Sequence, residues 1–355
     1  MRSFPITPKN LKRITAAVFC LVLTLAAVFV ASWFYPFGFH DTDDTETMTI
    51  YAMGSIVQQT VYGAQAEAAE SAASSAITAL ENRISWRVEG SEISKLNQTA
   101  GKTEVTLSQE TVDLLEKLLD ISKQSGGAFD ITIAPLSLLW NFDTDPSLPS
   151  DEDIRYFKQF VGYENLILDT GTNKAHLSDE KNAVDLGAAG KGAACDVAYD
   201  AYKEAGVEAG IIAVGGSVGL YGTKPDDSLW NIAVRDPDND GTLGTLSLAS
   251  GFISTSGSYE KCFEENGVLY HHLLDPKTGY PADSGLVSVT VVSDSGASSD
   301  ALSTACFVLG YEKSLPLLEH YNAQAVFIDT NHQIYVTEGL QDAFTLTSSA
   351  YTIVS

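Results

Sequence analysis

DLGAAGKGAACDVAYDAYKEAG (185–206) and, three residues on, GIIAVGGSVGLYG (210–222) form the densest stretch of the chain. The first begins as a glycine-rich loop and becomes a helix. The second is an apolar, β-branched run that ends in glycines and reads as a buried strand. Loop, helix and strand in that order suit a doubly wound parallel sheet as well as an α+β fold, so the flanks decide. Downstream, 230–234, 245–248 and 252–254 read as strands with no helix between them. YHHLLDPKTG (270–279) follows as a turn, LVSVTVVS (286–293) as a strand, 299–309 as a helix, and 324–329 and 333–337 as short strands. Upstream, 48–62 reads as a strand pair and 64–84 as a helix with Ile77, Leu80 and Ile84 on one face. A second helix fits 106–124, with Ser108 as N-cap. A glycine-broken turn then leads into an apolar stretch at 126–142, a short helix fits 151–161, and a hairpin fits 165–177. Strands come in runs without strict βαβ alternation, which predicts an α+β domain of mixed sheets with packed helices.

The chain has 355 residues, 21 Lys+Arg against 46 Asp+Glu, a net charge of −25 and 45% hydrophobic residues. That is enough apolar material for a sizeable core, and it excludes a disordered, collagenous or disulfide-stapled chain. The acidity excludes a nucleic-acid binder, which sets basic patches against phosphates. The charge is uneven. No acid precedes Asp41, and Arg2, Lys9, Lys12 and Arg13 precede the uncharged run ITAAVFCLVLTLAAVFVASWF (14–34). A span needs ~20 apolar residues. The basic head and acidic body orient such a span with the body outside the cytoplasm. A cleaved signal peptide competes with an uncleaved anchor. The run exceeds the usual signal core of roughly 7–15 residues, and no small-x-small site follows closely, so the anchor is preferred. The expected organisation is a basic cytoplasmic N-terminus (1–13), a transmembrane anchor or signal segment (14–35), an acidic linker (36–47), one large domain (48–345) and a C-terminal tail (346–355). The membrane is thus an expected partner through the N-terminal helix. Cys195 and Cys306 lie in small-residue, helix-like surroundings and read as buried free thiols. No cysteine or histidine cluster has zinc spacing.

Four groups of residues carry chemistry. In DLGAAGKG (185–192), glycines before a helix let a backbone approach a phosphate, and Lys191 supplies a point charge. Ser254-Thr-Ser-Gly257, after a strand, reads as a hydroxyl-rich anion-binding turn. His271-His272 stands before the Asp275-Pro276 turn, where a histidine serves as base or cofactor contact. Asp300 and Thr304 share one helical face, and such oxygen ligands suit Mg²⁺. Each alone has a plain structural explanation: a solvated lysine, a serine-rich turn, a surface histidine, an N-capping aspartate with a core threonine.

Taken in order, the segments AMGS (52–55), SEISKLN (91–97), GGAFDITIAPLSLLW (126–140), DLGAAGKGAACD (185–196), VGGSVGLYGTKP (214–225), STSGSYE (254–260), HHLLDPKTGYP (271–281) and SDALSTACFVLG (299–310) resemble the FAD:protein FMN transferase family, the ApbE family. The resemblance implies an exported or membrane-tethered transferase that takes FAD and uses Mg²⁺. It implies that FMN is attached by a phosphoester bond to a Thr or Ser of an acceptor flavoprotein, with AMP released. Position by position, it implies that Met53, Ala128, Phe129, Asp130, Asp185, Lys191, Ser256, Gly257 and His272 hold FAD. It gives the metal to the Ala188 carbonyl, Asp300 and Thr304, and catalysis to His272, Lys191 and Asp300, with His272 handling the acceptor proton. Two positions depart from the pattern: Ser217, where relatives often carry Asn or Asp, and Trp86-Arg87, where they often carry Tyr. An FAD pyrophosphatase using the same site is one alternative. A non-catalytic FAD-binding or electron-transfer protein is the other.

Overall fold

The computed structural model describes residues 45–354. The expected anchor (14–35) and most of the linker lie outside the described residues. Among those described, no helix is long and apolar enough to cross a membrane. The linker's last residues, Thr45–Thr47, already belong to the first strand.

A nine-stranded sheet organises the molecule. Its order is β1 (Thr45–Ala52), β2 (Ser55–Tyr62), β6 (Ala209–Val214), β7 (Ser217–Tyr221), β10 (Gly251–Gly257), β13 (Leu286–Ser293), β14 (Gln324–Asp329), β15 (Gln333–Val336) and β17 (Thr352–Val354). Every pairing is antiparallel except β15 with β17. β17 falls inside the expected tail (346–355), so strand pairing continues past the expected domain boundary. The sheet alternates as a strand with two covered faces demands. Val57, Val61, Ile212, Val214, Phe252, Val289, Val291 and Phe327 point to one side, into the main core. Six helices close that side: α1 (Ala66–Ile84), α2 (Glu92–Gln98), α3 (Gln109–Gln124), α6 (Gly190–Ala205), α7 (Gly296–Leu309) and α8 (Tyr311–His320). On the other side Ala209, Leu220 and Ile253 pack with Trp230, and Val326 and Ile328 with Val234 and Leu246. These partners belong to a three-stranded sheet of β16 (Phe344–Leu346), β9 (Thr242–Leu248) and β8 (Trp230–Arg235). β3 (Val105–Thr106), β5 (Lys174–Leu177) and β4 (Leu166–Asp169) form a third sheet, which includes the expected 165–177 hairpin.

The helices follow from local sequence. The side chain of Ser108 accepts from Thr111 N and starts α3, whose Val112, Leu115, Leu118 and Ile121 are buried at helical spacing. α6 buries Gly190, Gly192, Ala193, Ala194, Cys195, Ala198 and Tyr202. This small-residue face lets α1, with Ala66, Ala69 and Ala73, and α7 approach closely. Cys195 and Cys306 are buried and free, as expected, and burial pushes both thiols up.

Several elements differ from expectation. The run 210–222 is two strands, β6 and β7, because Gly215 turns left-handed (φ +54°) and Gly215-Gly216 closes a hairpin. The apolar stretch after Gly127 contains α4 (Ala134–Trp140), with Pro135 in its first turn. α5 (Asp151–Lys158) matches the short helix. The hairpin of β11 (Cys262–Glu265) with β12 (Val268–His271), and α8 (Tyr311–His320), complete the chain.

Candidate active site

The site grows from the crossing of α6 and α7. A Cβ on Gly192 would lie 1.9 Å from the Gly296 carbonyl oxygen, and one on Gly296 would lie 2.1 Å from that of Gly192. No other residue allows that approach. It brings Asp300, one turn into α7, onto the start of α6. Asp300 Oδ2 accepts from Gly192 N at 3.0 Å, and Lys191 Nζ stands 4.0 Å from Oδ1. Asp196 on α6 returns the contact, accepting from Gly296 N at 2.6 Å and Ala297 N at 2.9 Å. Each helix thus supplies a carboxylate to the free N–H groups at the other's start.

β10 lies beneath. The Ser254–Gly257 segment is its second half, not the anion-binding turn that its serines and glycine indicated. Pairing with β13 and buried hydroxyl partners override turn propensity. Ser254 Oγ donates to Ser217 Oγ at 3.0 Å and lies 3.0 Å from Ser299 Oγ. Ser256 Oγ lies 2.8 Å from Ser303 Oγ and 3.2 Å from Thr304 Oγ1. The serines are therefore rungs between β10 and α7, and Ser256 reaches the site by holding Thr304. Gly257 makes room for the ring of Tyr259, which a Cβ there would meet at 2.6 Å.

The oxygens expected to hold Mg²⁺ fit a hard cation. Asp300 keeps Oδ1 without a hydrogen bond. Thr304 faces Ser256. Among the described residues no group donates to the Ala188 carbonyl. Nor is any cluster of three His, Cys, Asp or Glu placed to bind metal. One carboxylate with neutral oxygens is the donor set of an ion that completes its shell from water and phosphate.

Met53 occupies the two-residue turn between β1 and β2 in a left-handed conformation (φ 55°). Its Cε lies 3.1 Å from the position of a Cβ on Gly190, at the start of α6. Ser55 and the Lys191 side chain both crowd Gly215. Asp185 Oδ1 accepts from Gly187 N at 2.8 Å, and Asp185 N donates to Ile131 O at 2.8 Å. The Lys191 loop is thereby tied to the Ala128–Asp130 loop. Ala128, Phe129 and Asp130 are buried. Asp130 Oδ1 is engaged by Thr132 N at 2.7 Å and Thr132 Oγ1 at 2.6 Å, while burial raises its pKa. The Asp130 side chain shapes its own loop through Oδ1.

His272 follows β12, its N–H donating to Lys261 O at 3.0 Å. Burial, then the charges of Lys261 and Lys191, push its pKa down to about 4, so it is neutral at pH 7. Its Nδ1 is buried without a partner. His271 is engaged instead, Nε2 to Ala282 O at 3.2 Å. Sequence reasoning missed three residues beside His272. Asp143 joins the Lys261 ammonium at 2.5 Å to the Arg87 guanidinium, which lies 4.3 Å from the Trp86 ring centroid. The lysine and arginine hold the Asp143 carboxyl below its usual range against the opposing effect of burial. Sequence reasoning read Gly192 as room for a phosphate, where the structure shows room for α7, and it missed Gly296, although a glycine four residues before Asp300 was a readable sign.

A helix start and a lysine suit a phosphate-bearing ligand, and one carboxylate among free oxygens suits a hard cation beside it. Comparison with known proteins narrows this class. The chain belongs to the ApbE family, whose model matches residues 53–328. It is 31% identical over 276 residues to the FAD:protein FMN transferase of Treponema pallidum, covering 73% of this chain and 76% of that one. It is 32% identical over 268 residues to that of Klebsiella pneumoniae, covering 74% and 83%. Among solved structures, the ApbE protein of Thermotoga maritima superposes with a TM-score of 0.79 at 29% identity, over 84% of this chain and 99% of that one. The flavinyl transferase ApbE of Pseudomonas stutzeri gives 0.71 at 30%, over 87% and 95%.

Proposed function

We propose that the protein is a Mg²⁺-dependent FAD:protein FMN transferase. It cleaves the FAD pyrophosphate and attaches FMN through a phosphoester to a Thr or Ser hydroxyl of an acceptor flavoprotein. The observation that carries the reading is the convergence of Lys191, Asp300 and Thr304 on the α6–α7 crossing, beside a histidine held neutral. FAD carries a dianionic pyrophosphate, and the chain must reverse its own acidic field to hold it. The start of α6 and Lys191 do so locally. Asp300, Thr304 and the Ala188 carbonyl would hold Mg²⁺, which neutralises charge that develops on the phosphate oxygens. Lys191 screens the same oxygens. His272 takes the proton of the acceptor hydroxyl on a ring nitrogen as that oxygen bonds to the FMN phosphorus. The bond from phosphorus to the bridging oxygen breaks, and AMP leaves with that oxygen. The chain's work is positioning and electrostatics.

FAD and Mg²⁺ incubated with an apo acceptor, then denatured, test the reading. Flavin retained on the acceptor is expected. Free FMN alone would assign a pyrophosphatase, and intact FAD a binding protein. His272→Ala should keep FAD binding and lose transfer by about 10²–10⁴-fold. Wild-type transfer in that variant removes its role as base. The uncharged run 14–34, preceded by Arg2, Lys9, Lys12 and Arg13, supports anchoring in the cell membrane with this domain extracytoplasmic. Intact mass of the membrane-extracted protein separates an anchor from a cleaved signal.

A further inference from the structure

β1 is an edge strand, and nothing among the described residues pairs with its outer side. Its register with β2 is unbroken over all eight residue pairs. The Ile56 carbonyl accepts from Gly215 N at 3.3 Å, so that residue's backbone turns toward β6. Tyr51, opposite Ile56, therefore turns its own N–H and C=O away from β2, and by alternation so do Thr49 and Thr47. Edge strands of this length are normally blunted by a lysine, a proline or a bulge. β1, TETMTIYA, has none of these, and its one charge, Glu46, lies on the face opposite Thr47, Thr49 and Tyr51.

The side chains agree with the backbone. Thr47, Thr49 and Tyr51, with Ile56, Gln58 and Thr60 opposite, give the outer face of the hairpin no charge, in a chain with 46 acidic and 21 basic residues. Tyr51 is 77% and Ile56 60% exposed, as a cross-strand pair. That pair abuts the turn in which Met53 lies against the start of α6. The open edge therefore runs directly to the Lys191 loop.

We propose that the outer edge of β1 is the docking site of the acceptor flavoprotein, which adds an extended segment there as a tenth strand and delivers its hydroxyl past Met53. The inference rests on the transferase reading. Main-chain hydrogen bonds provide affinity that tolerates sequence changes, and the Tyr51–Ile56 pair receives one apolar side chain. The uncharged face admits a partner that the acidic body would otherwise repel.

Two variants test it in the full chain, with Mg²⁺, FAD and, as probe, an apo flavoprotein domain carrying one acceptor Thr. Thr49→Pro removes an outward N–H while sparing the hairpin's own bonds. Tyr51→Lys adds an edge charge and leaves the backbone intact, so it decides the matter if Thr49→Pro loosens the hairpin. Each is expected to raise KM for the acceptor about tenfold, or ~1.4 kcal/mol. KM for FAD and kcat at saturating acceptor should stay within about twofold, since neither residue touches the phosphate site. Hydrogen exchange at β1 should slow when the probe is added. Unchanged acceptor KM in both variants overturns the proposal, as does a wild-type dimer that Tyr51→Lys dissociates while acceptor KM stays the same. Wild-type protein that binds or cleaves FAD without transferring flavin overturns the transferase reading itself.

Discussion

Gly192→Ala tests the α6–α7 crossing directly. The added methyl would sit 1.9 Å from the Gly296 carbonyl oxygen, 2.4 Å from its carbon and 2.8 Å from Asp300 Cβ. Two of these atoms are backbone, so the helices must part by at least about 1 Å to restore contact distance. The 3.0 Å bond from Gly192 N to Asp300 Oδ2 then stretches to about 4 Å, beyond hydrogen-bond range. Overpacking costs about 1–3 kcal/mol. Loss of the bond to a buried carboxylate costs about 1.5–3 kcal/mol. Together they predict destabilisation of about 2.5–6 kcal/mol, or a fall in Tm of about 10 °C for a domain of this size. A displacement of this size at Asp300 should also lower transfer roughly 10²-fold at temperatures where the protein stays folded. The assay pairs thermal melting with flavin retained on an acceptor after denaturation. Gly206→Ala is the control: its left-handed φ (+69°) costs about 1 kcal/mol, but its Cβ meets nothing within 4 Å and leaves the site untouched. Near-wild-type Tm and transfer in Gly192→Ala would refute the close crossing and the assembly of the site around it.

Three further predictions follow from other parts of the structure. Asp300→Asn keeps the shape but removes the only carboxylate in the expected donor set, so transfer should fall by about two orders of magnitude or more and lose its Mg²⁺ dependence, as chelator and Mg²⁺ titrations will report. Buried Glu70 is raised from 4.5 to about 7, first by burial and then by Glu46, against a hydrogen bond from the Met48 backbone. The unfolded chain releases this proton first, so stability is full below pH 4.5 and falls as pH rises to about 7, by at most about 3 kcal/mol. Glu70→Gln should flatten that part of the pH–stability curve, and an unchanged slope in urea melts would refute the assignment. Trp140 is fully buried, stacks on Phe142 with centroids 5.6 Å apart, and donates from Nε1 to Gly279 O at 2.9 Å. Trp140→Leu should cost about 3 kcal/mol and loosen the turn after His272, measured as a lower Tm together with reduced transfer.

Much of this was readable from residue patterns. Hydrophobic spacing located α1 and α3, Ser108 marked the start of α3, and β-branched runs located β13 and β14. Eight ordered motifs brought Lys191, Asp300, Thr304 and His272 into view before any geometry. What stayed hidden was decided by tertiary partners. Ser254–Gly257 has turn residues but lies in a strand because α7 offers its hydroxyls buried partners. β17 is short and mostly exposed, and only its pairing with β15 defines it. Asp143, Lys261 and Arg87 are far apart in sequence and carry no motif, so only the fold shows them together.

The exchange of carboxylates between α6 and α7 has a bearing on when the enzyme becomes competent during synthesis. Gly192 emerges from the ribosome 108 residues before Asp300. Until then the start of α6 lacks the carboxylate that receives its Gly192 N–H. Asp196 meanwhile waits for the Gly296 and Ala297 amides. A growing chain thus carries the Lys191 loop and the Ala188 carbonyl before Asp300 and Thr304, and neither helix start is complete until the other has arrived. The order of the sequence leaves the crossing unassembled in a partial chain, and it closes only when the segment around Gly296 has reached the start of α6.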